Sequence, residues 1–459
     1  MIRERQQGEG PGDWENQNGA LAFRDGLAYA GVGDTAAIRP SRLDTTEGPR
    51  RILLYGLNFH PEPTGVGKYT GEMAQWLARA GHEVRVITSP PYYPYWKVDA
   101  GYRSWRYTSE QYDGFRVMRA PLWVPKVQSG VRRVLHLFSF AISSLPVLLR
   151  DVIVWRPDVV LCVAPAMACA PGAAFAARVA GAMSWLHIQD FEVDAAFDLG
   201  MLKGKSLRNF ALHSERAILR SFDRVSSLSR RMVDNLRAKG VSEEKAKVFP
   251  NWVDVESVAP MERDTAFRHE LGIPADAFVA MYSGTMGAKQ GLEVMAAAAR
   301  RLEGKAPIHF VFCGQGPGKD ALHACCAGIP NVHWLPLQPE QRLSELLSTA
   351  DVHLLPQQRA AADLVLPSKL TGMLASGRPV LATAEGDTEL ANWVDGCGCL
   401  VAPGDDEAMA RALFDLYESP ERCRTLGACA RRRAVESLSR DVILREFVAN
   451  MEGAIRARA

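Results

Sequence analysis

From residue 51 onward, short apolar runs alternate with longer segments whose apolar side chains recur every three or four residues. Residues 51–56, Arg-Ile-Leu-Leu-Tyr-Gly, read as a buried strand that ends in a glycine-bearing loop, Thr64, Gly65, Val66 and Gly67. Behind that loop Tyr69, Met73, Trp76, Leu77 and Ala80 fall on one helical face, and Gly81 stops the helix. Residues 83–88 give the next strand. Strand, loop, helix and strand in this order form a βαβ unit, which implies parallel strands and a right-handed crossover.

The unit recurs. Residues 158–163 read as a strand, 167–179 as an alanine-rich helix and 183–188 as another strand. Residues 223–228 follow as a strand, with a helix through Met232 and Leu236. Between 247 and 264 the periodicity lapses, and an interdomain linker is expected there. A second series begins with a strand at 278–282, a loop at 283–287 and a helix at 292–302. Strands at 308–313, 351–355 and 379–383 continue it, and residues 441–455 are helical by pattern. The expected class is α/β, with two Rossmann-like doubly wound domains facing each other across a cleft. Ligands bind such sheets at the carboxyl ends of the strands. The boundaries read as a flexible N-terminal extension at 1–49, domains at 50–255 and 256–438, and a final helix at 439–459 that crosses back to the first domain.

Composition changes this picture little. A chain of 459 residues exceeds what one hydrophobic core usually supports. A formal net charge of +2 gives no reason to expect a nucleic-acid partner. Nine scattered cysteines form no metal-ligand spacing, so reduced thiols in a cytosolic protein are expected. Residues 1–48 lack the apolar core of a signal peptide. The longest apolar run, 134–149, is broken by His136, three serines and Pro146. It falls short of the ~20 residues that span a bilayer, and no crossing is expected.

Three glycine-rich turns follow predicted strands, at Gly65 and Gly67, at Gly284 and Gly287, and at Gly314, Gly316 and Gly318. Glycine admits an anion close to the backbone, and a helix start offers free amides. Each turn alone is equally well a tight connection; three of them in two α/β domains favour a phosphate-containing ligand. Gly314-x-Gly316-x-Gly318 departs from the dinucleotide fingerprint, which argues against a nicotinamide-dependent dehydrogenase. Lys289 and Gln290 follow the second turn at a helix start. Lys369 follows Pro367 and Ser368 at another, where an ammonium could take up the charge of a departing diphosphate. His187 ends a strand at the crevice, with Asp190 three residues on to orient it or touch an acceptor; a structural His–Asp pair is the alternative. No Asp-x-Asp occurs, so the paired carboxylates that hold a divalent ion on a diphosphate are missing and no metal is expected.

These residues carry a resemblance. From about Arg51 to Val448 the chain resembles the retaining family-4 glycosyltransferases of GT-B fold, and within them the colanic-acid (exopolysaccharide) biosynthesis fucosyltransferase type. The matching segments are 61–72 (Pro-Glu-Pro-Thr-Gly-Val-Gly-Lys-Tyr-Thr-Gly-Glu), 87–94, 186–194, 249–252, 282–284 with 289–293, and 361–363 with 366–370. The resemblance implies a nucleotide-sugar donor, GDP- or UDP-linked, held mainly by the second domain, with no further cofactor. The first domain then becomes the acceptor side. Gly65, Val66 and Gly67 look like the loop near the diphosphate, His187 like the residue that meets the donor sugar, and Lys369 like a diphosphate contact. Gly284, Thr285, Lys289, Gln290, Gly314, Gly316, Asp363 and Ser368 complete the implied donor site. Front-face attack, with the departing phosphate taking the acceptor proton, would give retention. The family usually carries two glutamates around the Pro-Ser-Lys segment; Leu364 and Gly372 stand at those positions, with Asp363 a partial substitute for the first. Thr285 replaces a frequent arginine.

The implied acceptor is an oligosaccharide on a polyprenyl diphosphate, which places the protein in the cytoplasm at the inner face of a bacterial plasma membrane. Arg132 and Arg133 precede the apolar run, and Lys126 and Arg150 flank it. This reads either as an interfacial element or as a buried interdomain helix. A nucleotide-sugar 2-epimerase of the same architecture and a non-catalytic scaffold of a polysaccharide assembly complex are the rival readings.

Overall fold

The structure is a computed structural model that describes residues 48–458 apart from 64, 128, 166, 192–204, 288–289 and 360–366. The first sheet contains β1 (Arg51–Gly56), β2 (Glu83–Thr88), β3 (Thr108–Tyr112), β4 (Phe115–Arg119), β5 (Val159–Ala164), β6 (Met183–Ile188), β7 (Arg224–Ser227) and β8 (Ala246–Val248). Its order is β3-β4-β2-β1-β5-β6-β7-β8, and only the β3–β4 pair is antiparallel among the described strands. The second sheet holds β9 (Phe278–Ser283), β10 (Ile308–Cys313), β11 (Val332–Leu335), β12 (Val352–Leu355), β13 (Val380–Thr383) and β14 (Gly398–Val401), in the order β11-β10-β9-β12-β13-β14.

Both sheets are doubly wound. In the first, the chain steps outward from β1 through β2 to β4, then restarts at β5 on the other side of β1. In the second, it steps from β9 to β11 and restarts at β12 beside β9. Each sheet therefore has a switch point where neighbouring connections leave in opposite directions and open a crevice. The crevices lie beyond β1 and β5 and beyond β9 and β12. Burial on both faces explains the continuous apolar runs: every residue of β5, β6 and β9 is buried. The hairpin β3–β4 escapes the periodicity reading because β3 is largely exposed, although Asp113-Gly114 is a hairpin turn signal and Gly114 has φ +82°.

The two domains meet through two crossings of the chain. Val253 and Ser439 form a parallel bridge, with Val253 donating to Leu438 O (2.9 Å) and Arg440 donating to Val253 O (2.9 Å). The helix Arg440–Arg456 lies on the first domain, where Phe447 packs against Trp185 (4.8 Å between ring centres) and stacks on Phe249 (4.9 Å). Burying one such aromatic contributes about 2–3 kcal/mol.

The apolar run at 134–149 belongs to a longer helix, Gly130–Val154, started by Ser129, whose hydroxyl accepts from Arg132 N–H. By length and composition alone this helix is long enough to cross a membrane. Its inner face is part of the first domain's core, however: Phe140 stacks on Tyr55 and Ser144 hydrogen-bonds the Tyr55 hydroxyl at 2.7 Å. The outer face is not covered. Val131, Leu135, Phe138, Ile142, Leu145 and Ile153 are exposed, which removes the reading of a helix buried between domains.

Candidate active site

Lys369 opens the helix Lys369–Ala375. Its ammonium donates to the Tyr282 hydroxyl (2.8 Å) and lies 4.3 Å from the centre of that ring. Burial pushes its pKa down to about 8, and among the described residues no carboxylate pairs with it. An ammonium stripped of water and left without a counter-ion is primed for an anionic ligand. Ser368 is helical and makes no side-chain capping bond, while the first-turn amide of Leu370 donates to Pro367 O (3.0 Å).

The loop beyond β9 surrounds Lys369. Gly284 has φ +125°, and a Cβ there would stand 3.4 Å from Lys369 Cε and Nζ. Tyr282 OH is shared between Thr285 O (2.5 Å) and Gln290 Oε1, and the same Oε1 accepts from Gly287 N–H (3.2 Å). Gln290, expected in the donor site, thus uses its side-chain oxygen to hold the loop's shape. Thr285 is exposed. Gly314 (φ +148°) and Gly316 (φ +149°) have a use beyond phosphate approach. A Cβ at either would collide with a carbonyl oxygen of the β9 loop, that of Gly284 or Met286. The two loops are joined by Gly284 N–H to Cys313 O, Met286 N–H to Gln315 O and Gly318 N–H to Met286 O, each 2.9 Å. These glycines bring two backbones together and so shape the wall behind Lys369.

In the first domain the loop beyond β1 leads into the helix Gly65–Arg79. Gly65 (φ +64°) faces open space, as a ligand-facing helix start would. Gly67 does not: a Cβ there would stand 2.6 Å from Glu62 Oε2. Val66 donates nothing by side chain, and its carbonyl accepts from Thr70 Oγ1 (2.8 Å). Glu62 itself was not singled out by the sequence reading. It is 2% exposed, accepts from Asn58 Nδ2 (2.9 Å) and from the amides of Tyr92 (3.2 Å) and Tyr93 (3.1 Å), and burial raises its pKa to about 7.

His187 is buried, its ring tilted on Phe249 at 4.8 Å, and burial pushes its pKa down to about 3. It is therefore neutral near pH 7 and can act only through a hydrogen bond. Its Nδ1 pairs with Ser226 Oγ (3.0 Å), so Ser226 rather than Asp190 orients the ring. The reason is the sheet register: His187 and Ser226 are partners across β6 and β7, whereas Asp190 lies past the end of β6. Asp190 is reached by solvent, with burial raising its pKa and Arg133 opposing that rise. Lys289, Asp363 and Leu364 lie outside the described residues. Among the described residues no three His, Cys, Asp or Glu side chains converge as metal ligands.

The two halves of the site are in contact. Lys68, one residue past Gly67, pairs with Glu340 of the second domain at 2.9 Å, and Tyr69 lies beside Thr371 on the Lys369 helix. Trp252 Nε1 donates to Glu72 Oε2 at 2.6 Å from the crossing segment. Neither Tyr282 nor the Lys68–Glu340 pair was marked by the sequence reading.

Residues 64–252 match the family model described as a glycosyl transferase 4-like domain, and 277–419 match glycosyl transferases group 1. The chain is 42% identical to the colanic acid biosynthesis glycosyl transferase WcaI of Escherichia coli K12 over 414 residues, covering 88% of this chain and all of the relative. The chain belongs to the family-4 glycosyltransferases. Among solved structures, this glycosyltransferase is similar to the sucrose-phosphate synthase of Thermosynechococcus elongatus (TM-score 0.66, 18% identity, 89% of this chain and 100% of that one). It is likewise similar to Anabaena HepE in complex with UDP and glucose (TM-score 0.62, 15% identity, 88% and 100%). At these identities the structural likeness establishes the GT-B fold alone.

Proposed function

We propose that the enzyme is a retaining, metal-independent hexosyltransferase of exopolysaccharide biosynthesis of the colanic-acid kind. It moves a sugar, with fucose from GDP-fucose the first donor to try, onto a polyprenyl-diphosphate-linked oligosaccharide at the inner face of a bacterial plasma membrane. The observation that carries this reading is Lys369: a desolvated ammonium with no carboxylate partner among the described residues, fixed over Tyr282 beyond the carboxyl end of β9. A departing nucleoside diphosphate supplies the negative charge this ammonium lacks. Stabilising the charge as it develops is worth several kcal/mol of barrier. The acceptor hydroxyl attacks the anomeric carbon from the leaving-group face, and a phosphate oxygen of the departing diphosphate takes its proton. Neutral, buried His187 contributes a hydrogen bond at most. The relative's printed role supports the pathway, and the HepE complex supports a nucleotide-sugar donor.

The membrane part of the reading rests on the uncovered face of the helix Gly130–Val154. Its exposed apolar side chains start beside Arg132 and Arg133, as an element lying in an anionic interface requires. Trp105, Tyr107 and Trp123 are exposed too, and Tyr107 OH bonds Ser143 O on this helix at 2.8 Å. Such amphipathic rings suit the headgroup level.

The test is a thermal-shift series with GDP, UDP, ADP and CDP, followed by transfer assays with and without chelator. A ligand at ~100 times its dissociation constant stabilises by about 2.7 kcal/mol. The expected result is one preferred nucleoside diphosphate and turnover indifferent to EDTA. A uridine preference removes the fucose assignment, and loss of turnover on chelation removes the metal-free mechanism.

A further inference from the structure

The acceptor side of the cleft carries two exposed tyrosines on a tightly held loop. Tyr93 is 41% and Tyr95 76% exposed, in the segment that leaves the carboxyl end of β2. Exposed aromatic rings on a mobile loop would be unremarkable, but this loop is fixed from below. Glu62 accepts from the Tyr92 and Tyr93 amides, Lys97 N–H bonds Tyr92 O (3.2 Å) and Asp99 N–H bonds Pro91 O (3.0 Å). Trp96 adopts φ +52°, an unfavoured backbone for a bulky residue, and is held there against Tyr92 (5.6 Å) and His136 (5.2 Å).

A second fully buried group ties this loop to the β1 loop. Arg119 donates to Ser89 O (2.9 Å) and His60 O (2.7 Å) and is itself held by both oxygens of Glu110 (2.6 and 3.0 Å). The clamped pair of loops lies at the seam with the second domain, because Glu340 acts on the His60 ring and pairs with Lys68. On its other side the Trp96 ring lies under Arg133, 5.4 Å away, and Arg133 acts on Asp190. Tyr93 and Tyr95 thus sit on a loop clamped to the β1 loop by Glu62 and Arg119 and, through Trp96, to Arg133 at the start of the helix Gly130–Val154.

We propose that Tyr93 and Tyr95 form a stacking platform for a sugar ring of the acceptor, and that Glu62 is the positioning residue that sets this platform relative to the β1 loop. The C–H face of a pyranose is apolar and packs on an aromatic face, while the phenol hydroxyls remain free for its equatorial oxygens. A rigid platform costs little ordering entropy on binding, which is what the buried Glu62 and Arg119 contacts supply. The inference rests on the carbohydrate acceptor proposed above.

The test measures transfer from the preferred donor to p-nitrophenyl galactoside, glucoside and fucoside as short acceptors. Tyr95→Ala and Glu62→Ala are expected to raise the acceptor KM at least tenfold while the donor KM stays within twofold. Glu62→Gln keeps an oxygen for the two tyrosine amides once the Asn58 amide turns, and is expected to hold the acceptor KM within threefold of wild type. Tyr95→Trp is expected to do the same. An unchanged acceptor KM in Tyr95→Ala overturns the platform alone. Equal losses for Glu62→Ala and Glu62→Gln in kcat, with no change in acceptor KM, overturn the positioning role. Wild-type enzyme that hydrolyses donor but glycosylates none of the three acceptors removes the carbohydrate-acceptor reading and the platform with it.

Discussion

Lys369→Met separates the cost of the buried ammonium from its use. In the ligand-free protein burial lowers the lysine pKa from 10.5 to about 8. That fall corresponds to about 3 kcal/mol against the charged form at ~1.36 kcal/mol per pH unit. Methionine removes the penalty but also the hydrogen bond to Tyr282, worth about 1 kcal/mol, and the cation–π contact, worth about 1 kcal/mol. The substitution should therefore stabilise the ligand-free enzyme by about 1 kcal/mol at pH 7, raising Tm by about 2–4 °C for a domain of this size. The sign with pH follows from the depressed pKa. The penalty is complete below about pH 8 and is relieved as pH rises toward 10.5, so wild-type stability gains on the variant over that window. Turnover should move the other way, with kcat falling about 10²–10³-fold as leaving-group charge loses its partner. Calorimetry would also show wild-type affinity for the preferred nucleoside diphosphate weakening up to about tenfold per pH unit above pH 8, with a flat profile in the variant. A variant that turns over donor within threefold of wild type, or that melts well below it, would refute the placement of this charge.

Two further substitutions test the walls of the site and its setting. Gly316→Ala places a Cβ against the Met286 carbonyl oxygen at φ +149°, and should destabilise the second domain by about 2–3 kcal/mol, read as a lower midpoint in urea; an unchanged midpoint would mean that the two loops are not in contact. The double substitution Arg132→Glu and Arg133→Glu should weaken co-sedimentation with anionic vesicles about 30-fold or more, from ~1 kcal/mol for each basic side chain lost at the surface; equal binding to anionic and neutral vesicles would remove the electrostatic part of the membrane reading.

The sheet architecture is legible because it depends on local repeats. Strands such as 158–163 and 278–282 are continuous apolar runs, and a glycine turn followed by a 3.6-residue repeat marks each crossover. Lys369 is legible for a related reason: a proline and a serine beside a lysine announce a helix start. The functions of individual glycines are not, since a missing Cβ looks the same in sequence whether it faces open space, as at Gly65, or admits another backbone, as at Gly314 and Gly316. Glu62 is hidden because its two amide partners lie 30 and 31 residues away and no periodicity marks a carboxylate between two prolines. The partner of His187 is hidden too, because Ser226 lies 39 residues away on the neighbouring strand, while Asp190 three residues on is the one the sequence suggests. The helix at 130–154 shows another kind of gap. Its amphipathic pattern predicts one buried face, but only the packing of Phe140 and Ser144 on Tyr55 fixes which side is left for solvent or lipid.

The contacts between domains divide by strength in a way that fits substrate exchange. At the mouth, Lys68 and Glu340 form an ion pair between side chains 30% and 70% exposed, and such pairs contribute about 0–1 kcal/mol. Glu389 reaches the amides of Arg230 and Arg231 at 3.2 Å, in an equally exposed setting. At the other end, Phe447, Trp185 and Phe249 bury their rings together and Val253 is bonded to both sides of Ser439. Opening the cleft would break the weak, solvent-exposed pairs, while the aromatic cluster and the paired crossings stay intact as the axis. Tyr69 on the helix Gly65–Arg79 and Thr371 on the helix Lys369–Ala375 are neighbours across the seam, so the same opening would draw these two helices apart. Closure and assembly of the two charged walls are therefore one event, and a donor diphosphate bridging them would strengthen the contact that the exposed pairs make only weakly.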